Sequence, residues 1–316
     1  MAIYKAIAPT RISFVGGGTD IAPFCNLYGG ATISLAINIR QQFTLYTDQE
    51  MWRLPMGNEI PHNCNLDFIY AFRKRFNVNS MHFNRFKSES DGGINTGIGS
   101  SASIAVAIVG ALAQSQNKSM SRTEIAELAW EIETKDLGMF GGKQDQYAAA
   151  YGGLNLFEFN EKVLIQPFDK SYAEKLMPYI VLCYTKSNRK DSNIQEGFKK
   201  LDSKQIKALQ EIKSLVVPAI EAIGNNDIQM LGQILDTAWN YKKQSNKGVS
   251  NDRISNIYQT AKKYGAIGGK VCGAGGGGFM VFIVKDRQKF ISEMKDLEFW
   301  DISPDFNGLE VKQLTL

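Results

Sequence analysis

The glycines of this chain are not spread along it. Twenty-two of its 29 glycines fall within 16–30, 92–99, 138–153 and 265–278 of a 316-residue sequence. Each window is flanked by strongly patterned segments, so these are not flexible linkers. Clustered glycine marks backbone that must turn left-handed, or backbone that another group approaches closely. The chain has to fold so that several tight turns meet a partner, and its function depends on what that partner is.

Other classes of answer fall away on simple grounds. The length suits one large or two ordinary domains with a sizeable core. A hydrophobic fraction of 44% and a charged fraction of 22% are ordinary for a soluble globular protein. The net charge of +4 is small and scattered, so neither nucleic acid nor an anionic membrane is expected as partner. No run of 18 apolar residues predicts a transmembrane helix, and the opening MAIYKAIAPTR lacks a secretory apolar core. Cys25, Cys64, Cys183 and Cys272 form no CxxC pair. A disulfide framework and a cysteine zinc site are therefore not expected, and the reading is a cytoplasmic protein. His62 and His82 belong to no metal-binding cluster, and no GxSxG elbow is present.

Residue patterning predicts strands over 3–8 and 11–15 on either side of Pro9, and over 31–39 and 42–47. A helix is predicted over 66–76, with Phe68, Ile69, Phe72 and Phe76 on one face, and a strand over 81–87. Helices follow over 100–116, 121–136 and 143–151, the second opened by a Ser121–Glu124 capping box. A hairpin over 154–168 precedes a break near 160–178. The second half reads as a strand over 179–185, helices near 190–200, 204–223, 226–245 and 251–263, strands over 267–271 and 279–285, a helix near 287–297 and a strand over 309–314. The expectation is an α+β protein with domains 1–165 and 166–316.

The window 92–99 runs into the helix at Ser100, so unpaired N–H groups and the helix dipole favour an anion there, typically phosphate. A plain helix cap with a tight turn explains the same residues. No P-loop GxxxxGK is present. The dinucleotide fingerprint GxGxxG/A occurs twice, at 97–102 and at 273–278, but the second copy precedes a strand and the first lacks the βαβ units that give the motif its meaning. Glu133 and Asp145 lie twelve residues apart across LGMFGGKQ. One carboxylate could hold Mg²⁺ while the other orients or deprotonates a hydroxyl; Glu131 is a decoy, and a solvated helix face stays open for the pair. In APTRISFVGGGTD, Asp20 follows a glycine triplet, placed either to bind sugar hydroxyls or to serve as a turn residue.

Taken together and in order, APTRISFVGGGTD, Asn95–Ala102 and Lys270–Phe279 resemble the three motifs of the GHMP kinases, over nearly the whole chain. That resemblance implies a two-domain α+β fold: an N-terminal ribosomal-protein-S5-like α/β domain and a C-terminal ferredoxin-like domain. It also implies ATP and Mg²⁺ as cofactors. The GGGTD form, GKQDQYAAAYGG and the ending GAGGGG are similar to the branch that phosphorylates sugars at the anomeric hydroxyl, D-glycero-D-manno-heptose 7-phosphate kinases in particular. Fucokinase domains share part of the pattern. The implied substrate is a small sugar phosphate, and the implied product a 1,7-bisphosphate that feeds GDP-heptose and surface polysaccharide. Oligomeric state is left open.

By the same resemblance Asp145 matches the catalytic Asp and Arg11 an Arg near the reacting groups; Lys143, two residues before Asp145, is expected to help Arg11 balance charge on the transferred group. Glu133 and Ser101 match the Mg²⁺ ligands. Asn95, Thr96, Gly97, Ile98, Gly99, Ser100, Ser101 and Ala102 match the ATP loop. Gly16, Gly17, Gly18, Thr19 and Asp20 would line the sugar pocket, and Gly275 and Gly276 the substrate side of the cleft. Arg189 would hold a distal phosphate, or stand as a surface residue. Two departures are visible: the central motif lacks its leading Pro and begins Gly92-Gly93-Ile94, and Lys186 stands where the family's Thr-Gly-x-x-Arg stretch has Gly. A non-catalytic sugar sensor, a fucose- or galactose-type 1-kinase and a Rossmann-type oxidoreductase remain as rivals.

Overall fold

A computed structural model describes residues 2–47, 66–78, 82–83, 87–88, 97–187, 197–246 and 248–314. Its first sheet has seven strands. β1 (Ile3–Val15), β2 (Gly30–Tyr46), β5 (Leu154–Phe159) and β6 (Val163–Pro167) run in the order β11-β1-β2-β5-β6, where β11 is Glu310–Leu314. The short strands β3 (His82–Phe83) and β4 (Lys87–Ser88) also pair with β2. The second sheet has the order β10-β7-β9-β8, built from β7 (Ile180–Tyr184), β8 (Ala266–Val271), β9 (Phe279–Val284) and β10 (Glu298–Trp300). Numbered within their own half, these strands run 4-1-3-2 with helices in the first and last connections, which is the ferredoxin-like plan. Among the described residues every strand pairing in both sheets is antiparallel. A doubly wound parallel sheet, which the oxidoreductase reading requires, is thereby overturned. The final strand β11 crosses back over the 165/166 division and pairs with β1, Ile3 opposite Leu314.

The helices in chain order are α1 (Phe24–Tyr28), α2 (Leu66–Phe76), α3 (Ser100–Ser115), α4 (Arg122–Glu131), α5 (Gln144–Tyr151), α6 (Lys170–Leu176), α7 (Ser203–Ser214), α8 (Val216–Gly224), α9 (Ile228–Ser245), α10 (Asp252–Lys263) and α11 (Arg287–Glu293). Alanine-rich α3 is buried on nearly every side, from Ala102 to Ala113. Small side chains let it lie close to the sheet, against Tyr4, Ala6 and Ala8 of β1 and Phe43 of β2. The opposite face of the sheet carries Ile12, Phe14 and Ile33, which pack in one core with Leu235 of α9 and Val281 of β9. The two halves therefore share a hydrophobic core. No described helix is long and apolar enough to cross a membrane.

Several sequence expectations need correction. The strands expected on either side of Pro9 are one strand. Between Pro9 and Thr10 the pairing with β2 shifts register. Such a shift turns the strand over, because side chains alternate faces with period two. Before the bulge, even-numbered residues face α3; after it, Ile12 and Phe14 face the second half. Arg11 is thereby aimed at the loop entering α3, and Ser13 lies in the cavity wall. The strands expected over 31–39 and 42–47 are likewise the single long β2. The helix expected over 204–223 breaks at Leu215 into α7 and α8. The helix expected to run to Asp136 is α-helical only to Glu131 and closes with a π-helical turn, Ile132–Asp136. Most of the helix expected near 190–200 lies outside the described residues. α1, α6 and β10 were not foreseen.

Candidate active site

A cavity of about 560 Å³ opens between the two halves. Three chain turns converge on it: the glycine triplet after β1, the loop 97–99 entering α3, and the start of α5. Each presents functional groups for a local reason.

Gly99 caps α3 in a left-handed conformation, φ +83°, and no side chain caps that end. The helix terminus therefore faces the cavity through its backbone, with Ser101 and Ala102 in the wall. Arg11 fixes this loop to β1. Its backbone N–H donates to the Ile98 carbonyl at 2.8 Å and its Nη1 to the Gly97 carbonyl at 2.9 Å. The rest of the guanidinium turns to Asp145, with Nε at 2.7 Å and Nη2 at 2.5 Å from Oδ1. Arg11 is 3% exposed and Asp145 28%, so the cation is buried while its carboxylate partner looks into the cavity. Both contacts fall on one oxygen. Oδ2 stays turned toward Gly99, where an added Cβ would stand 3.2 Å away.

Glu133 sits in the π-helical turn, a kind of irregularity that often re-aims a functional side chain. It accepts from Ser101 Oγ at 2.6 Å and from Gln146 Nε2 at 2.7 Å. Burial raises its carboxyl to about 7, against the lowering effect of those two hydrogen bonds. The decoy Glu131 faces outward, paired with Lys135 and Arg75. Gln146 Oε1 is buried and has no hydrogen-bond partner among the described residues. A hydroxyl, a carboxylate and an orphaned amide oxygen make a hard-oxygen set. They suit Mg²⁺, which takes one or two carboxylates and completes its shell with phosphates and water.

Asp20 joins two of the turns. Its carboxylate accepts from the Gly18 N–H at 3.2 Å and from the Gln144 N–H at 3.1 Å. Burial and the neighbouring Asp145 raise its pKa above the ordinary carboxylate value, so it holds its proton more tightly. Gly142 has no space for a side chain because Asp20 Oδ2 would lie 1.9 Å from its Cβ. The third glycine window thus serves this packing and sets the start of α5, where Asp145 occupies the first turn.

The structure brings together Arg11, Gly17, Gly18, Asp20, Gly97, Gly99, Ser100, Ser101, Ala102, Glu133 and Asp145 around the cavity. Other expected residues fall elsewhere. Lys143 is held by Glu127 at 2.7 Å and lies 4.5 Å over the Trp130 ring, outside the cavity lining. Gly16 packs on the Ala31 carbonyl, and the Thr19 hydroxyl ties Gly16 to Ala31, fully buried. Ile98 is a core side chain. Gly275 and Gly276 lie against Val249, and the cavity edge there is Gly273 and Ala274. Asn95, Thr96 and Arg189 lie outside the described residues. Lys186, exposed, keeps the left-handed backbone that its glycine counterpart would favour, φ +51°.

Sequence reasoning missed Ser13, Gln144, Gln146, Lys242 and Lys270, all in the lining. Lys242 donates to the Gly273 carbonyl. Lys270 is buried and donates to the Ser13 carbonyl at 2.8 Å; burial pulls its ammonium down to about 8. The available signal was a lone lysine inside an otherwise apolar strand, Ala266–Val271.

The family models for the GHMP kinases N terminal domain and the GHMP kinases C terminal domain match residues 65–153 and 219–296. A D-glycero-alpha-D-manno-heptose 7-phosphate kinase of Campylobacter jejuni is 34% identical over 312 residues, 92% of each chain. The crystal structure of a D-glycero-D-manno-heptose 1-phosphate kinase from Bacteroides thetaiotaomicron superposes with a TM-score of 0.75 at 22% identity, covering 99% of this chain and all of the other. A Campylobacter jejuni chain described as a candidate sugar kinase gives 0.74 at 29% identity, covering 99% of this chain and 98% of that one.

Proposed function

This chain belongs to the GHMP kinase family, and from that premise we propose that it moves the terminal phosphoryl group of ATP onto O1 of D-glycero-D-manno-heptose 7-phosphate, giving the 1,7-bisphosphate. The observation that carries this reading is the position of Asp145. It stands paired with Arg11 between the open N-terminus of α3 and the Asp20 turn. The substrate class rests on the heptose phosphate kinase that is 34% identical over 92% of this chain.

The residues divide the work. Backbone N–H groups at the start of α3 receive the phosphates, since a helix terminus without a side-chain cap favours an anion. Ser101 and Glu133 would hold Mg²⁺, which when bound neutralises charge on the phosphates. Glu133 would offer Mg²⁺ its ionised carboxylate. Asp145 orients the acceptor hydroxyl and accepts its proton through Oδ2. Arg11 fixes Oδ1 and stands ready for negative charge that develops on the transferred group. Lys143 takes no part, because Glu127 and Trp130 hold it away.

An ADP-release assay with heptose 7-phosphate, fucose, galactose and mannose side by side tests the substrate. At least tenfold higher kcat/KM on the heptose phosphate is expected. Equal or higher activity on a free sugar would reassign the chain to a fucose- or galactose-type 1-kinase. Intact ATP–Mg²⁺ binding without ADP release from any sugar would make it a sensor.

A further inference from the structure

The middle glycine of the triplet is unlike its neighbours. Gly16 and Gly18 are left-handed, at φ +85° and +98°, whereas Gly17 is not among the positive-φ residues. Its backbone would accept a side chain. What a Cβ would meet there is polar: Ser13 Oγ at 3.3 Å, Lys270 Nζ at 3.8 Å and Gln144 Nε2 at 4.0 Å. All three residues line the cavity and all are buried, Ser13 to 2%, Lys270 to 3% and Gln144 to 6% exposure.

These groups have hydrogen-bonding capacity to spare. Ser13 Oγ has no hydrogen-bond partner among the described residues. Lys270 donates one of its three N–H bonds, to the Ser13 carbonyl. Gln144 is oriented by Ser34, whose hydroxyl donates to Oε1 at 3.0 Å, so its amide nitrogen points to the cavity side, 3.4 Å from Asp145 Oδ1. A buried hydroxyl without a partner is destabilising, and a buried ammonium with one bond is similarly under-served. Such groups persist where a ligand completes them.

Resting on the sugar kinase reading above, we propose that Ser13, Gln144 and Lys270 bind one hydroxyl oxygen of the acceptor sugar in the space that Gly17 leaves by lacking a side chain. Gly17 lines the cavity beside these groups, and without a side chain it lets a ligand oxygen approach them closely. A hydroxyl also suits the mixed character of the cluster. It can accept from the ammonium and the amide, and it can donate to the Ser13 oxygen. Gln144 is adjacent in sequence to Asp145, so the subsite lies on the acceptor side of the cavity. These three are specificity residues for the acceptor, and Gly17 is the residue that makes room.

The test is Gly17→Ala, assayed with whichever sugar the wild type turns over best. Acceptor KM should rise at least tenfold, kcat should change much less, and the KM for ATP should stay within twofold. Melting temperature, measured on the same samples, should hold within about 2 °C, since the backbone there is unstrained. Ser13→Ala should raise acceptor KM in the same direction. An unchanged acceptor KM in Gly17→Ala would overturn the proposal. A rise in the KM for ATP instead would assign the cluster to the phosphate donor and overturn it equally. If the wild type turns over no sugar, the kinase reading itself fails, and that outcome is seen before any variant is made.

Discussion

Segments 97–102 and 273–278 both read Gly-x-Gly-x-x-Gly/Ala, yet the first opens α3 onto the cavity while the second turns β8 into β9. In the first, Gly99 leaves room for Asp145. In the second, Gly275 is left-handed, φ +109°, and an added Cβ would lie 2.7 Å from the Val249 carbonyl oxygen. The glycines of one loop make space for chemistry, and those of the other make space for the protein's own backbone. A glycine pattern records close approach; it does not say what approaches.

Four experiments break or sharpen that contrast. The largest effect should come from Asp145→Asn, which removes the proposed acceptor of the hydroxyl proton at the first loop. A fall in kcat of about a thousandfold, roughly 4 kcal/mol, is expected, with ATP affinity by equilibrium binding nearly intact. Turnover near wild type would leave the first loop without its chemistry.

Next come the paired glycine substitutions. Gly275→Ala should cost about 3 kcal/mol of stability in denaturant melts, because both φ and the Val249 backbone oppose a side chain. Its activity per folded molecule should be retained. Gly99→Ala should cost less stability, about 1–2 kcal/mol, and lower kcat about tenfold by crowding the Asp145 carboxylate. If the two variants behaved alike, the contrast between the loops would collapse.

Lys270 is where the second segment touches the cavity, and pH probes it. Burial lowers its ammonium from 10.5 to about 8, helped by Arg11 and opposed by Cys272 and Asp20. Between those values the unfolded chain binds more protons than the folded one. Stability should therefore rise with pH from about 8 toward 10.5. Unfolding free energies measured across that range should show the rise in the wild type and a flatter line in Lys270→Met. The same slope in both would mean that the folded ammonium is not depressed.

The smallest effect belongs to Lys143→Met. Its pairing with Glu127 is partly exposed and worth at most about 1 kcal/mol, and kcat should stay within twofold. A large loss of turnover would return Lys143 to the catalytic set.

Much of the site was legible because its chemistry is carried by local pattern. Ser101 and Asp145 sit in the first turns of helices entered from glycine-rich loops, and Glu133 precedes Asp145 by twelve residues. What stayed hidden depended on which way a strand or turn faces. Pro9 reads as a break between two strands, but it marks a bulge, after which Arg11 meets the loop entering α3 and Ser13 lines the cavity. Lys143 precedes Asp145 by two residues, yet Glu127 and Trp130, more than twelve residues earlier, decide where it points. Lys270 looks like a stray charge in an apolar strand until Ser13, 257 residues away, is placed against it.

The sequence by itself determined the α+β class, the glycine turns, the helix that opens at Ser100, and the two carboxylates twelve residues apart. These follow from short-range physics: side-chain periodicity, capping, and the conformations open only to glycine. Only the tertiary structure decided which glycines face a ligand, which cations reach the cavity, and that β11 closes the first sheet. Those facts depend on contacts between residues far apart in the chain, and local preference carries no information about the partner that long-range packing will supply.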